Sequence, residues 1–298
     1  MSAPATTPAA TAPRGRLLLV PAPLDFGCAE QVPLEQVLPA HTLREAARLR
    51  HWIAESAKSA RAYLKRIDAL YPLAAPLQEL HIAELPRHIH KQGDHAGAAR
   101  PKAGRSAAAR QRPERHGAHA TRSASDSGAA AFEPRALLQP ALAGHDIGLV
   151  SEAGMPGVAD PGSSIVRAAH QLGLGVLPLV GPVSLLLALA ASGLNGQSFA
   201  FVGYLPQDDA ARAAAIGQLE AQARRSGQAQ ILIETPYRNA RLWQALLQQL
   251  RPETWLSISA GLSLPSAISQ SRPVQQWRSL GGACPVDGKT PAVFTLGC

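Results

Sequence analysis

Two turn-forming segments contain the residues best suited to chemistry. The first, Val150-Ser-Glu-Ala-Gly-Met-Pro-Gly-Val-Ala-Asp-Pro-Gly162, follows an apolar run that predicts a buried strand. Gly154 and Gly157 have no side chain, so a ligand can approach the backbone closely at these positions. The segment also carries Glu152 and Asp160, and the spacing predicts that Asp160 caps the following helix. Tight turns without a ligand use the same residue types, so both interpretations stay open.

The second segment is Gly181-Pro-Val-Ser184, which opens an apolar helix. Ser184 is predicted to cap this helix, whose N-terminus favours a carboxylate or a polar cofactor. Neither segment matches GxGxxG or a P-loop, which argues against dinucleotide and triphosphate binding. Because open α/β sheets bind ligands at the carboxyl ends of their strands, two such turns predict a shared cleft.

The elements around these turns alternate between strand and helix, which implies a parallel sheet with right-handed crossovers. A domain joint is predicted at 194–197, followed by a second α/β layer. The predicted strands are 16–21, 147–151, 176–180, 199–205, 229–236, 254–260 and 291–296, and the predicted helices are 134–143, 161–172, 208–225, 239–250 and one that opens at 184.

One region resists assignment from periodicity. Thr42-Leu-Arg-Glu45 has the capping-box pattern and predicts the start of a helix there. That helix could extend to Ile67, but residues 49–54 also alternate as a strand does, and the pattern alone leaves both possibilities open.

Charge and composition set two segments apart. The chain has 298 residues and a net charge of +8, yet residues 87–122 contain nine Lys or Arg against two acids, so the remainder is nearly neutral. Residues 92–131 contain no Leu, Ile, Val, Phe, Tyr or Trp, and we expect a disordered insertion there. Residues 1–15 are expected to form a disordered tail, not a signal peptide, with α/β domains at 16–195 and 196–298.

Three cysteines at wide spacings predict reduced thiols in a cytoplasmic protein without a metal site. The uncharged run 171–207 is interrupted by Pro and Gly, so no membrane span is expected.

The two turn segments also carry a family resemblance. VSEAGMPGVADPGSSIVRAA and PLVGPVSLLLALAASGL resemble the tetrapyrrole-methylase superfamily, and within it the branch of a bacterial small-subunit ribosomal RNA ribose 2′-O-methyltransferase, whose usual runs are VSDAGTPxxSDPG and PGPSA. LLLVPAPLDFG, FAFVGYLP and IETPYRNARL resemble further segments of that branch. The resemblance spans nearly the whole chain apart from the tail and the insertion.

This resemblance implies a two-domain α/β fold, S-adenosylmethionine in the cleft between the domains, and a homodimer. It implies an enzyme that methylates a ribose hydroxyl of ribosomal RNA. The cofactor-lining candidates that it transfers to this chain are Pro21, Ala22, Pro23, Glu152, Ala153, Gly154, Pro156, Pro182 and Ser184, with Tyr237 and Pro291 from the second domain.

The chain departs from the branch where the substrate is expected. The AEDTR segment of the branch stands here as AESAK, which keeps Glu55 and replaces Arg by Lys58, and these two residues are the catalytic candidates. Asp160 and Glu234 are interpreted as structural residues. The departures are typical of a paralogue with a kept cofactor site. A methyltransferase acting on a tetrapyrrole or another small molecule, and a non-catalytic cofactor-binding protein, therefore stay open.

Overall fold

The computed structural model describes residues 13–25, 27–86 and 132–298 of the chain. A five-stranded sheet organises the first half of the chain. Its strand order is β3-β2-β4-β1-β5, and every pairing is parallel, as the alternation of elements predicts. The strands are β1 (Arg16–Leu19), β2 (His51–Ala54), β3 (His81–Glu84), β4 (Ile147–Val150) and β5 (Gly175–Pro178).

Helices cover both faces of this sheet. Successive residues of a strand point to opposite faces, so Leu18 and Trp52 pack into one core cluster while Leu17 and Ile53 pack into another. Burial on both faces explains why these strands are short apolar runs without a polar alternation. The helices are α1 (Ala40–Ala47), α2 (Ala57–Asp68), α3 (Gln139–Leu142, continuing the 3₁₀ turn Pro134–Leu138) and α4 (Ser163–Gln171).

A second five-stranded sheet has the order β6-β7-β10-β8-β9 and is mixed. Only β6 and β7 run parallel, and the other neighbours pair antiparallel. The elements are α5 (Ser184–Ser192), β6 (Phe199–Gly203), α6 (Asp209–Ser226), β7 (Ala229–Glu234), α7 (Asn239–Gln249), β8 (Trp255–Ala260), β9 (Ile268–Pro273), α8 (Val274–Ser279) and β10 (Ala292–Gly297).

Helix α5 lies against the second sheet, although it follows β5 of the first. Its buried residues Leu185 and Leu189 pack with Ile231 and Val293 of that sheet. The segment from β5 to α5 therefore passes from one sheet to the other. The predicted domain boundary after residue 195 stays a prediction.

The ambiguous region forms a helix and then a strand. The strand interpretation of 49–54 is confirmed by β2. The capping-box prediction is wrong, because α1 begins at Ala40 after Pro39 and Thr42 lies inside the helix. The Thr42 hydroxyl donates instead to the Val180 carbonyl at 2.7 Å, since the helix packs beside the end of β5.

Residues 1–12 of the predicted tail and the whole predicted insertion at 92–131 lie outside the described residues. In the part of the chain that is described, no helix combines the length and the apolar character that a bilayer crossing demands.

Candidate functional site

A cavity of about 460 Å³ lies between the carboxyl ends of the first sheet's strands and the second sheet. A volume of this size is typical of pockets for small molecules and cofactors. Its lining residues are Leu24, Cys28, Glu55, 152–155, 158–160, 183–185, Tyr204, 233–236, Ser259, Gly261, Leu262 and 291–293.

The turn after β4 forms one wall of this cavity, and its backbone is fixed by the loop after β1. Gly154 exchanges two backbone hydrogen bonds with Ala22, at 2.9 and 3.0 Å. Gly154 has a φ of +69°, a conformation that costs other residues about 1 kcal/mol or more. The glycine is therefore required by backbone shape as well as by access.

The structure brings six of the predicted residues together on the cavity wall. They are Glu55, Glu152, Ala153, Gly154, Ser184 and Pro291. Four buried residues, Pro21, Ala22, Pro23 and Pro156, lie behind the wall.

Three other candidates lie apart from the wall. Pro182 is half-buried, and its carbonyl oxygen lies 3.7 Å from the position that a Cβ on Gly154 would take. Lys58 is exposed in the first turn of α2. Tyr237 is 74% exposed, and its ring faces the Arg238 guanidinium.

Glu55 and Glu152 are linked through the backbone. A Glu55 carboxylate oxygen accepts a hydrogen bond from the Glu152 N–H at 3.2 Å. The Glu152 carboxylate in turn accepts from the Ser59 hydroxyl at 3.2 Å. Ser56, which replaces the branch's Asp, caps α2 by accepting from the Ser59 N–H at 3.4 Å. The segment 55–59 is thus tied to the turn after β4.

Asp160 is a cavity residue, and the prediction that it caps α4 is wrong. The N-cap position belongs to Gly162, whose φ of +136° turns the chain into the helix. The Asp160 side chain lines the cavity instead. Burial, together with the charges of Glu55 and Glu152, raises the pKa of the Asp160 carboxyl to about 7. The cavity therefore holds a carboxyl that gains and loses its proton near neutral pH.

Ser184 also differs from its prediction. The N-cap of α5 is Val183, and no side chain caps the helix. Ser184 is already the first helical residue, so its hydroxyl lies on the cavity wall beside the first N–H groups of α5. These N–H groups have no intrahelical partners, and such positions favour an anionic group.

The opposite wall comes from the second sheet and was mostly missed from the sequence. Glu234 forms an ion pair with Arg238 at 2.7 Å, which agrees with its interpretation as a structural residue, yet it also lines the cavity. Burial, followed by the charges of Asp160 and Glu234, raises the pKa of Tyr204. Tyr204 and Glu234 lie at the carboxyl ends of β6 and β7. Their position at the carboxyl ends of predicted strands is the feature of the sequence that could have indicated a place in the site.

The chemistry of the lining suits an organic ligand. Carboxylates of Glu55, Glu152 and Asp160 favour a cation, while Ile233, Leu262 and Val293 offer apolar surface. Among residues 13–25, 27–86 and 132–298, no three His, Cys, Asp or Glu side chains are arranged to hold a metal ion.

Known proteins similar to this chain are named as methyltransferases. No family model matches the chain. Two proteins named ribosomal RNA small subunit methyltransferase I align with this chain. The one from Vibrio cholerae is 34% identical over 140 residues, which is 47% of each chain. The one from Pseudomonas aeruginosa is 38% identical over 95 residues, which is 32% of each chain. The chain thus spans less than half the length of these relatives. Within the aligned segments, they confirm the resemblance to the ribosomal RNA methyltransferase branch.

Solved structures of uroporphyrin-III C-methyltransferase from Thermus thermophilus align over 95% of this chain, but only loosely. One covers 94% of that enzyme at 18% identity and a TM-score of 0.45. Another, in complex with S-adenyl homocysteine, covers 97% at 18% identity and a TM-score of 0.42.

Proposed function

We propose that the chain is an S-adenosylmethionine-dependent methyltransferase that methylates a ribose 2′-hydroxyl of ribosomal RNA. The observation that carries this proposal is the cavity at the turns 152–155 and 183–185, because these turns hold the motifs of the branch. The names of the curated relatives support the same activity and substrate.

The cavity lining fits the proposed cofactor chemically. S-adenosylmethionine carries a sulfonium, an ammonium, a carboxylate and an adenosine group whose adenine ring has flat, apolar faces. Glu152 supplies negative charge for the cations, and the N-terminus of α5 at Ser184 suits the carboxylate. Ala153, Gly154 and Pro291 give close backbone approach, while Pro21, Ala22, Pro23, Pro156 and Pro182 hold the shape of the turns. Tyr237 is proposed to cover the cofactor from the second sheet.

Lys58 and Glu55 are proposed to lie on the side of the site that faces the substrate. Lys58 extends from the first turn of α2, whose residue Ser59 contacts Glu152 on the cavity wall. An exposed ammonium there is suited to an RNA phosphate, although it lacks the two-pronged geometry of the Arg in the branch. The bound cofactor supplies an electrophilic methyl group, and the chain's residues orient the hydroxyl toward it.

A cytoplasmic homodimer is proposed as the working form. Helix α5 is apolar on nearly every side, and its outer residues Leu186 and Leu187 are 49% and 42% exposed. A helix of this kind is normally covered, and a second copy of the chain would cover it. The cysteines Cys28, Cys284 and Cys298 form no disulfide, which suits a reducing compartment. Sedimentation that finds only monomer for the full chain would contradict the homodimer.

The test is methyl transfer from labelled cofactor by the purified chain. Small ribosomal subunits from a strain that lacks the gene are compared with subunits from the wild-type strain. We expect label only in RNA from the deletion strain, on one ribose, because its acceptor is still unmodified. Cofactor binding without label in RNA of either strain would contradict the RNA substrate, and label in a small-molecule extract would favour the alternative substrate class. Absence of cofactor binding would contradict the enzyme class itself.

A further inference from the structure

Three carboxylates share the cavity wall, but they differ in how they are held. Glu55 accepts the Glu152 N–H, and Glu152 accepts the Ser59 hydroxyl, so both are tied to the first-sheet side. Asp160 comes from the far end of the turn, immediately before the Pro-Gly pair that starts α4. It lines the same cavity as Tyr204, which lies on the opposite wall.

The backbone holds Asp160 in this position by an unusual local conformation. Ala159, which directly precedes it and also lines the cavity, has a φ of +66°. Among the described residues, the only other non-glycine residue with a positive φ is Ser263, which directly follows the lining residue Leu262. Backbone strain of about 1–3 kcal/mol is kept where surrounding packing imposes it, often beside functional groups.

Resting on the function proposed above, we propose that the Asp160 carboxylate accepts the proton of the substrate hydroxyl during methyl transfer. Glu55 and Glu152 are then positioning residues that set the turn and the local negative charge. Asp160 is suited to this role because it lines the cavity from the segment whose start, at Glu152, is tied to Glu55 and Ser59 by hydrogen bonds.

The proton affinity of Asp160 agrees with this role. Its burial and the charges of Glu55 and Glu152 raise the pKa to about 7. A general base works best when its pKa lies near the working pH, because it is then both deprotonated and basic enough. An ordinary Asp carboxylate is too weak a base to help a ribose hydroxyl to the same extent.

The step balances in atoms and charge. The hydroxyl oxygen forms a bond to the methyl carbon as its proton passes to a carboxylate oxygen of Asp160. The bond from that carbon to the sulfonium breaks, and its electron pair stays on sulfur. An anion and a cation are thereby converted to a neutral carboxylic acid and a neutral thioether, with a methyl ether as the product.

The test compares Asp160→Asn and Glu55→Gln with Glu253→Gln, an exposed control on the surface of the second half. Single-turnover methyl transfer to the deletion-strain ribosomal subunit is measured between about pH 5.5 and 8.5, together with cofactor affinity by calorimetry. For the wild-type chain and the control we expect a rate that rises with pH as the Asp160 carboxyl loses its proton. For Asp160→Asn we expect a loss of about 100-fold or more and a flat profile, with cofactor affinity changed only a few fold.

A second readout does not depend on turnover. The carboxyl carbons of the chain are labelled with ¹³C-aspartate and followed by NMR, with Asp160→Asn identifying the resonance. We expect one aspartate to titrate near pH 7 in the cofactor-free chain. A midpoint near the ordinary 3.8 overturns the proposal.

The outcomes separate this proposal from the proposed function. If the wild-type chain transfers no methyl group to the subunit, the proposed function fails and the role of Asp160 falls with it. If the wild type is active but Asp160→Asn keeps its rate or its pH dependence, only the role of Asp160 is overturned. The role of Asp160 is also overturned if Glu55→Gln alone abolishes the pH dependence, or if Asp160→Asn loses cofactor affinity in proportion to its loss of rate.

Discussion

Ala22 and Gly154 form a two-residue bridge between the loop after β1 and the turn after β4, with hydrogen bonds of 2.9 and 3.0 Å in the two directions. The bridge joins the two loops that rise from neighbouring strands at the same edge of the first sheet. The position of the cavity wall therefore depends on the backbone conformation of Gly154.

Replacement of Gly154 by Val is expected to abolish cofactor binding. A Cβ at this position would stand 3.3 Å from Leu24, which also lines the cavity, and the φ of +69° disfavours a branched residue. Calorimetry with S-adenosylmethionine measures the effect, and unchanged affinity would remove this turn from the binding site.

Alanine at two glycines provides the matched comparison. Gly157 has a φ of +79°, but a Cβ there meets nothing closer than 3.9 Å. Gly154→Ala and Gly157→Ala should lose similar stability, about 1 kcal/mol, from the backbone conformation alone. Only Gly154→Ala should weaken cofactor binding as well. Equal loss of affinity in both variants would indicate general destabilisation.

Asp160→Asn is expected to change the pH dependence of stability. The folded pKa of about 7 lies above the ordinary 3.8, so the folded state binds more protons than the unfolded state between these values. The stability of the wild-type chain therefore falls as pH rises from about 4 to about 7, and stays lower above that. Asp160→Asn has no carboxyl to ionise at this position, so its stability does not carry this dependence on pH. The variant should therefore melt at a higher temperature than the wild type at about pH 8, with a smaller or reversed difference at about pH 5. Equal melting curves at both pH values would contradict the shifted pKa.

Arg66→Met tests the ion pair that holds the loop after β1. Arg66 donates to both oxygens of Asp25 at 3.0 Å and to the Val32 carbonyl at 2.7 Å, while Asp25 is only 2% exposed. Loss of the cation leaves a buried carboxylate, so we expect a decrease of about 3 kcal/mol in unfolding free energy by urea titration. Arg16→Met, which removes the ion pair of the exposed Arg16 with Asp146, should cost about 1 kcal/mol or less, because Asp146 keeps its second pair with Arg48. Similar losses for the two variants would contradict the distinction.

Lys58→Ala is expected to lower methyl transfer to RNA without changing cofactor affinity. Lys65 provides the control, because it is exposed on the same helix about 10 Å farther along. Lys58→Ala should also reduce the salt dependence of RNA binding by about one phosphate contact. If Lys65→Ala has the same effect, the helix contributes general positive charge and no specific contact.

The sequence was sufficient for the elements whose residues are buried on a regular pattern. Strands β1, β4 and β5 of the parallel sheet and most helices follow from apolar runs and the Gly and Pro residues that end them, whereas β2 was left open and β3 was not predicted. Strand β9 was missed because its residues Ile-Ser-Gln-Ser-Arg-Pro lack apolar alternation, and antiparallel pairing with β8 determines its conformation. Such pairing depends on residues distant in sequence, which local propensity does not include.

The site shows the same division. Glu55, Glu152 and Gly154 were found through motifs next to strand ends, where the chain itself carries the signal. Asp160 was misassigned because an Asp shortly before a helix has the local pattern of a cap. Its position in the cavity depends on the positive φ angles of Ala159 and Gly162. Its pKa depends in part on the charges of two carboxylates, Glu152 nearby in sequence and Glu55 far from it in sequence.

Strand β10 lies at the centre of the second sheet, between β7 and β8, yet it spans residues 292–297. During synthesis, β7 and β8 would leave the ribosome with one hydrogen-bonding edge each exposed, because β10, which joins them, follows both in the chain. Phe294, which is fully buried, would complete the core at the same time. The second half of the chain is thus expected to depend on chaperone protection until synthesis has passed residue 297, whereas the first sheet can form while the ribosome is still translating.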